Sequence, residues 1–91
     1  MFYYTYVLKC FSFNGETSLY IGHTDDLEKR LADHNSKTTR TTKKFQKIEL
    51  IYYEACRNKA SAIRREISLK TGFGRAYLKN MLKSALESGI S

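Results

Sequence analysis

Residues 2–10, FYYTYVLKC, form a run of aromatic, β-branched and aliphatic side chains broken by a single Lys. Such residues favour a pleated strand. At a period of two, Tyr3, Thr5, Val7 and Lys9 take one face and Phe2, Tyr4, Tyr6, Leu8 and Cys10 the other. Both faces are largely apolar or aromatic, so this strand is expected at the centre of a sheet, covered on both sides. Asn14-Gly15 follows as a hairpin signal, and residues 18–23 read as the returning strand.

The rest of the chain supplies the cover. Asp25 or Asp26 caps a helix that ends near Asn35, with Glu28 in its first turn and Leu27 and Leu31 on one face. Residues 36–46 are a basic, Thr-rich loop. Residues 47–55 read as a third strand and 59–71 as a second helix. Proline is absent, so glycines mark the breaks: Gly72 and Gly74 end that helix, and a third amphipathic helix runs from Arg75 to about Glu87. The order β-β-α-β-α-α predicts an α+β domain, a three-stranded antiparallel sheet flanked by helices. Phe2, Tyr4, Leu8, Leu19, Ile21, Leu27, Leu31, Ile48, Leu50, Ile63, Ile67, Leu78 and Leu82 are the expected core.

The chain of 91 residues is one domain's worth. No apolar run approaches the length of a membrane span, and MFYYTYVLKC is not a signal peptide, so the cytoplasm is the expected compartment. Cys10 and Cys56 make neither a disulfide framework nor a zinc spacing, and read as free thiols. Sixteen Lys and Arg against nine Asp and Glu give a net charge of +7. Nucleic acid is the first partner that such an excess attracts; a basic protein with no specific anion is the alternative.

Three groups of residues bear on chemistry. On a helical wheel of residues 59–71, Ala62, Ile63, Ile67 and Leu69 define the apolar stripe and Glu66 falls inside it. A carboxylate there is costly unless paired, protonated or metal-bound; it is either one half of an ion pair or a functional group. Arg30 and His34, four apart, share a helix side beside Leu27 and Leu31; Arg30 either serves an anion or pairs with Asp26 or Asp33. Tyr20-Ile21-Gly22 places a glycine late in a strand, where backbone or another group approaches closely. His23, at the strand end, reads as structural. No HExxH, P-loop or GxSxG motif is present.

Taken together, Tyr4-Thr5-Tyr6, Tyr20-Ile21-Gly22-His23-Thr24, the helix with Arg30 and His34, and Arg65-Glu66 through Lys70 resemble the GIY-YIG nuclease domain, from about residue 3 to residue 80. Tyr4 and Thr5 stand where the first motif has Gly and Ile; Tyr6 keeps its tyrosine. The chain is most similar to the small stand-alone members. The resemblance implies a DNA endonuclease, structure-selective or weakly sequence-selective, with RNA left open as substrate. It implies that Glu66 holds a single Mg²⁺ or Mn²⁺ ion, that Arg30 stabilises the phosphate in flight and that Tyr6 orients or deprotonates the attacking water. Tyr20 then positions water or phosphate, and His34 assists the base. His23 ranks below these five, and Asn80 is the nearest counterpart of an Asn that members often carry beyond the Glu. A tyrosine base needs its pKa lowered from about 10, a task for Arg30 and the metal.

Lys37, Arg40, Lys43, Lys44 and Lys70 are the expected nucleic-acid contacts. A targeting protein partner and a monomer or weak dimer complete the expected assembly, since 91 residues leave room for little beyond the catalytic unit. The rival readings are a nucleic-acid-binding module of the same fold without useful activity, and a basic interaction protein. One geometric condition follows. A plain two-residue turn at Asn14-Gly15 would set Tyr6 opposite His23 and turn Tyr6 and Tyr20 to opposite faces. A shared site therefore predicts a longer, odd-length loop or a bulge.

Overall fold

The computed structural model describes residues 1–36 and 44–83. The elements run β1 (Tyr3–Phe11), β2 (Thr17–Thr24), α1 (Leu27–Asn35), β3 (Lys47–Cys56), α2 (Lys59–Leu69) and α3 (Gly72–Met81). The sheet is antiparallel in the order β2-β1-β3. The central place of β1 accounts for its burial on both faces, which is continuous from Thr5 to Cys10. Among the described residues no helix is long and apolar enough to cross a membrane.

The β1–β2 loop fulfils the register condition. Phe11 pairs with Thr17, so residues 12–16 form a five-residue connection. Gly15 takes φ +91° there, a conformation that suits glycine, and Asn14 Oδ1 accepts from Glu16 N at 3.0 Å. Leu8 then pairs with Tyr20, and Tyr6 with Gly22. Tyr6 and Tyr20 thus share a face. On the other side of β1, Val7 pairs with Tyr52 but Leu8 with Leu50; Ile51 is the extra residue of a β-bulge.

The two sheet faces have different cover. α1 packs over the face of Tyr6 and Tyr20, where His34 reaches the Tyr6 hydroxyl. α2 and α3 cover the other, where Val7, Ile21, Leu69 and Leu78 form the core cluster with Leu19, Ile51, Tyr52 and Leu82 against it. Thr5 Oγ1 ties β1 to α2 by donating to the Ala62 carbonyl at 2.9 Å. A core this small makes each member count: truncating Leu78 to Ala costs about 2–5 kcal/mol.

Three expectations need correction. Phe2 is 46% exposed and Ile67 60%, so neither belongs to the core. Phe2 precedes the first paired residue, and the buried line of α2 runs through Ala62 and Leu69 instead. Gly72 and Gly74 do not break the chain but open α3. Thr71 is its N-cap, accepting from Gly74 N through its side chain. A Cβ on Gly74 would lie within van der Waals overlap of the Ser68 carbonyl and Leu69, so this glycine lets α3 fold tightly back on α2. The expected extension of α3 beyond Lys83 lies outside the described residues. Cys10 and Cys56 are free thiols.

Candidate active site

Tyr6 projects from the middle of β1 onto the α1 face and is fully buried. Asp26 caps α1 by accepting from Lys29 N, which sets the rotation that aims Arg30 and His34 back at the sheet. Arg30 Nε donates to Tyr6 Oη at 3.3 Å, and His34 Nε2 lies 3.1 Å from the same oxygen. The three rings enclose one another: centroids are 6.2 Å apart for Tyr6–Tyr20, 5.8 Å for Tyr6–His34 and 5.2 Å for Tyr20–His34. Gly22 forms the floor. A Cβ there would stand 2.7 Å from Tyr6 Oη, so glycine is required for the hydroxyl to fit.

Burial pushes the Tyr6 phenol up to about 12, although the Arg30 hydrogen bond pulls the other way. Tyr6 is therefore a neutral phenol, not a ready base. His34 is held below its ordinary value by burial and by the Arg30 charge, against the pull of Asp33. Neutral His34 can accept at Nε2. Guanidinium only donates, so Tyr6 Oη accepts from Arg30 and its own proton points to His34 Nε2. The assignment rests on using every donor and places the His34 proton on Nδ1.

Glu66 belongs to a second group. Its carboxylate Oε1 lies 2.6 Å from His23 Nδ1, and Lys70 Nζ donates to Oε2 at 2.7 Å. The Glu66 side chain is only 16% exposed. Burial pulls its pKa up, but Lys70 and His23 outweigh that and hold it below the usual carboxylate range. Both readings of Glu66 on the helical wheel thus have a basis: it lies in the buried line of α2, and it is ion-paired. His23 follows Gly22 on β2, so the backbone beneath Tyr6 leads directly to the imidazole on Glu66. Among the described residues no hydrogen bond or ion pair joins Glu66 to Tyr6, Tyr20 or Arg30. The structure therefore unites Tyr6, Tyr20, Arg30 and His34, and places Glu66 in a second group with His23 and Lys70 on the α2 side of the sheet.

His23, read from the sequence as structural, is bonded to Glu66. Its signal was its place next to Gly22, but its partner lies 43 residues away and emerges only once α2 is packed. Lys70, expected to touch nucleic acid, is engaged with Glu66; their i, i+4 spacing carried that signal. Lys44 is exposed, with its ammonium 5.4 Å from the Phe45 ring centroid, and Asn80 is exposed on α3. Lys37, Arg40 and Lys43 lie outside the described residues.

Among the described residues no group of three or more His, Cys, Asp and Glu side chains converges on one point. A multidentate cage is not needed for a hard cation that keeps most of its waters. Glu66 is ionised, and the half-exposed Lys70 ammonium already sits as a cation on Oε2. Exchange of that ammonium for a hydrated divalent ion is chemically consistent with the donors present.

Comparison with known proteins gives the family. The model of the GIY-YIG catalytic domain matches residues 2–80. A UPF0213 protein of Bacillus pumilus is 43% identical over 70 residues, 76% of this chain and 67% of that protein. A UPF0213 protein of Staphylococcus haemolyticus is 37% identical over 82 residues, 89% of this chain and 94% of its own length. One from Lactiplantibacillus plantarum is 40% identical over 81 residues, covering 85% of this chain and 75% of that protein. No solved structure matches.

Proposed function

From the premise that the chain belongs to the GIY-YIG catalytic-domain family, we propose that it is a metal-dependent endonuclease that hydrolyses phosphodiester bonds of DNA. The observation that carries this reading is the hydrogen-bond chain Arg30–Tyr6–His34; an ionised Glu66 on α2 is the candidate metal carboxylate.

Hydrolysis of a phosphodiester needs an oriented water, a clamp on the phosphate and neutralisation of developing charge. Arg30 is a permanent cation that donates to Tyr6 in the free protein, and its planar fork matches phosphate oxygens. Tyr6 holds the water by its hydroxyl and passes its proton to His34 Nε2 as it takes one from the water; no phenolate accumulates. Because Tyr6 is fully buried, this contact forms only once Arg30 has moved toward a bound phosphate. Tyr20 walls the cluster and positions the phosphate. Glu66 would hold one Mg²⁺ or Mn²⁺ ion, which when bound neutralises charge on a phosphate oxygen, and His23 would orient that carboxylate.

A second reading, a nucleic-acid-binding module without turnover, draws support from one observation: both Glu66 oxygens are already bonded within the chain. Labelled linear, single-stranded and branched DNA, and RNA, incubated with Mg²⁺ or Mn²⁺, test the two. Cleavage by the unmodified protein, lost in Glu66→Ala and in EDTA, is the expected result. Salt-sensitive binding without cleavage of any substrate favours the second reading, and absence of both removes nucleic acid altogether.

A further inference from the structure

A groove of about 480 Å³ lies between the edge strand β2 and α3, on the sheet face opposite the Tyr6 cluster. Its walls are Lys9 of β1, Thr17, Ser18 and Leu19 of β2, and Arg75 and Lys79 of α3. Three of these side chains are cations, two are hydroxyls and none is an acid. Arg75 and Lys79 are one helical turn apart and project to the same side. Burial of the neighbouring Gly74 and Leu78 fixes the rotation of α3 that turns them to the groove. Lys9 is only 6% exposed, and its ammonium lies 5.1 Å from the Phe11 ring centroid. Lys9 thus lies at the buried end of the groove, while Arg75 and Lys79 are exposed on its wall.

We propose that this groove binds phosphate groups of a nucleic-acid strand, as a contact separate from the Tyr6 cluster. The proposal rests on the nucleic-acid reading above and extends it to residues outside the family's motifs. Clustered cations fit phosphate charge, and hydroxyls fit phosphate oxygens. Lys9 is three residues along β1 from Tyr6 and points to the opposite face of the sheet. A strand leaving the Tyr6 cluster can turn round the β2 edge and enter the groove.

The test is fluorescence anisotropy of the full chain with labelled single-stranded and duplex DNA in EDTA, across a range of salt. Arg75→Gln/Lys79→Gln is compared with Arg57→Gln/Arg64→Gln, which removes the same charge at exposed positions of the β3–α2 segment. The groove pair should weaken binding about tenfold or more near 0.1 M salt and flatten the duplex salt slope by about 2, and the reference pair far less. Equal effects of the two pairs, with binding by the unmodified protein intact, overturn the groove and leave the nuclease reading standing. If the unmodified protein binds neither form of DNA, both readings fall. Amide spectra supply the second readout: Thr17 and Ser18 should shift with the oligonucleotide. Equal or larger shifts with inorganic phosphate at the same phosphate concentration would mean a small-anion site and overturn the strand assignment.

Discussion

Tyr6 Oη lies 3.1 Å from Nε2 of His34, 28 residues further along the chain, and the same oxygen takes a hydrogen bond from Arg30. One buried hydroxyl thereby ties the central strand to α1. It is the only polar atom of Tyr6's side chain, so its removal separates packing from chemistry. Tyr6→Phe keeps the ring but leaves Arg30 Nε and His34 Nε2 without their shared partner. Stability should fall by about 1–2 kcal/mol, the usual cost of an abandoned buried hydrogen-bond group. Cleavage should fall by about 10²-fold or more, the scale of a lost general acid–base group. Urea unfolding and single-turnover cleavage measure the two; a variant that cleaves normally would remove Tyr6 from the mechanism.

Gly22→Ala should disturb the same hydroxyl from below. The added methyl would meet Tyr6 Oη at 2.7 Å and Cζ at 2.8 Å, inside contact distance and in a fully buried place. Overpacking of this kind costs about 1–3 kcal/mol. Adding Tyr6→Phe removes the nearer of the two atoms. The double variant should therefore be more stable than the sum of the single losses. Denaturation of the four proteins gives the coupling; strict additivity would mean that the backbone, not Tyr6, absorbs the methyl.

How far the sequence already carried the site can be followed through these same residues. The element order was readable because the strands are dense in Tyr, Val and Ile and the first helix start carries its Asp26 cap. The shared face of Tyr6 and Tyr20 was readable too, since side-chain parity allowed it only with an odd loop, and residues 12–16 supply one. Local pattern could not supply the tertiary terms. Ile67 has the apolarity of a core residue but lies on the solvent side of α2, because Ala62 and Leu69 set the helix rotation. Gly72 and Gly74 have low helix propensity, yet the close approach of α3 to Ser68 and Leu69 requires a glycine at position 74. The desolvation that full burial brings to the Tyr6 phenol is another tertiary term: Arg30 was legible in the sequence, the burial that opposes its pull was not.

Stability should decline as pH falls from neutrality, and His34 should be the reason at the start. Burial and Arg30 hold its pKa below the ordinary value in the folded state. The unfolded chain therefore takes up a proton first as pH drops through about 6.5, and stability is lost with it. His34→Gln should flatten that segment of the curve. A second decline should follow through the carboxylate range. Burial alone would raise Glu54 and Glu66, but Arg65 on Glu54, and Lys70 and His23 on Glu66, hold both below their ordinary value. Their contribution is present above that value and lost below it. Thermal melts at stepped pH on the unmodified chain and His34→Gln separate the two windows.

Lys70 and a divalent ion should compete for the same oxygen. The Lys70 ammonium donates to Glu66 Oε2 at 2.7 Å and is half exposed, while the carboxylate beneath it is 16% exposed. A solvent-screened pair of this kind contributes about 1 kcal/mol at most. Displacing it is therefore within reach of a cation at millimolar concentration. Lys70→Ala leaves Oε2 open and should tighten Mn²⁺ binding by up to about fivefold, the ratio that such an energy allows. Glu66→Gln should abolish binding in either background, because a neutral amide offers a hard cation little. Isothermal titration with Mn²⁺ reads the affinities directly. Cleavage at limiting Mn²⁺ should rise in Lys70→Ala if the ion is the limiting component. A fall in Mn²⁺ affinity on removing Lys70 would place the ion away from Oε2, and Mn²⁺ binding that survives Glu66→Gln would place it away from this carboxylate entirely.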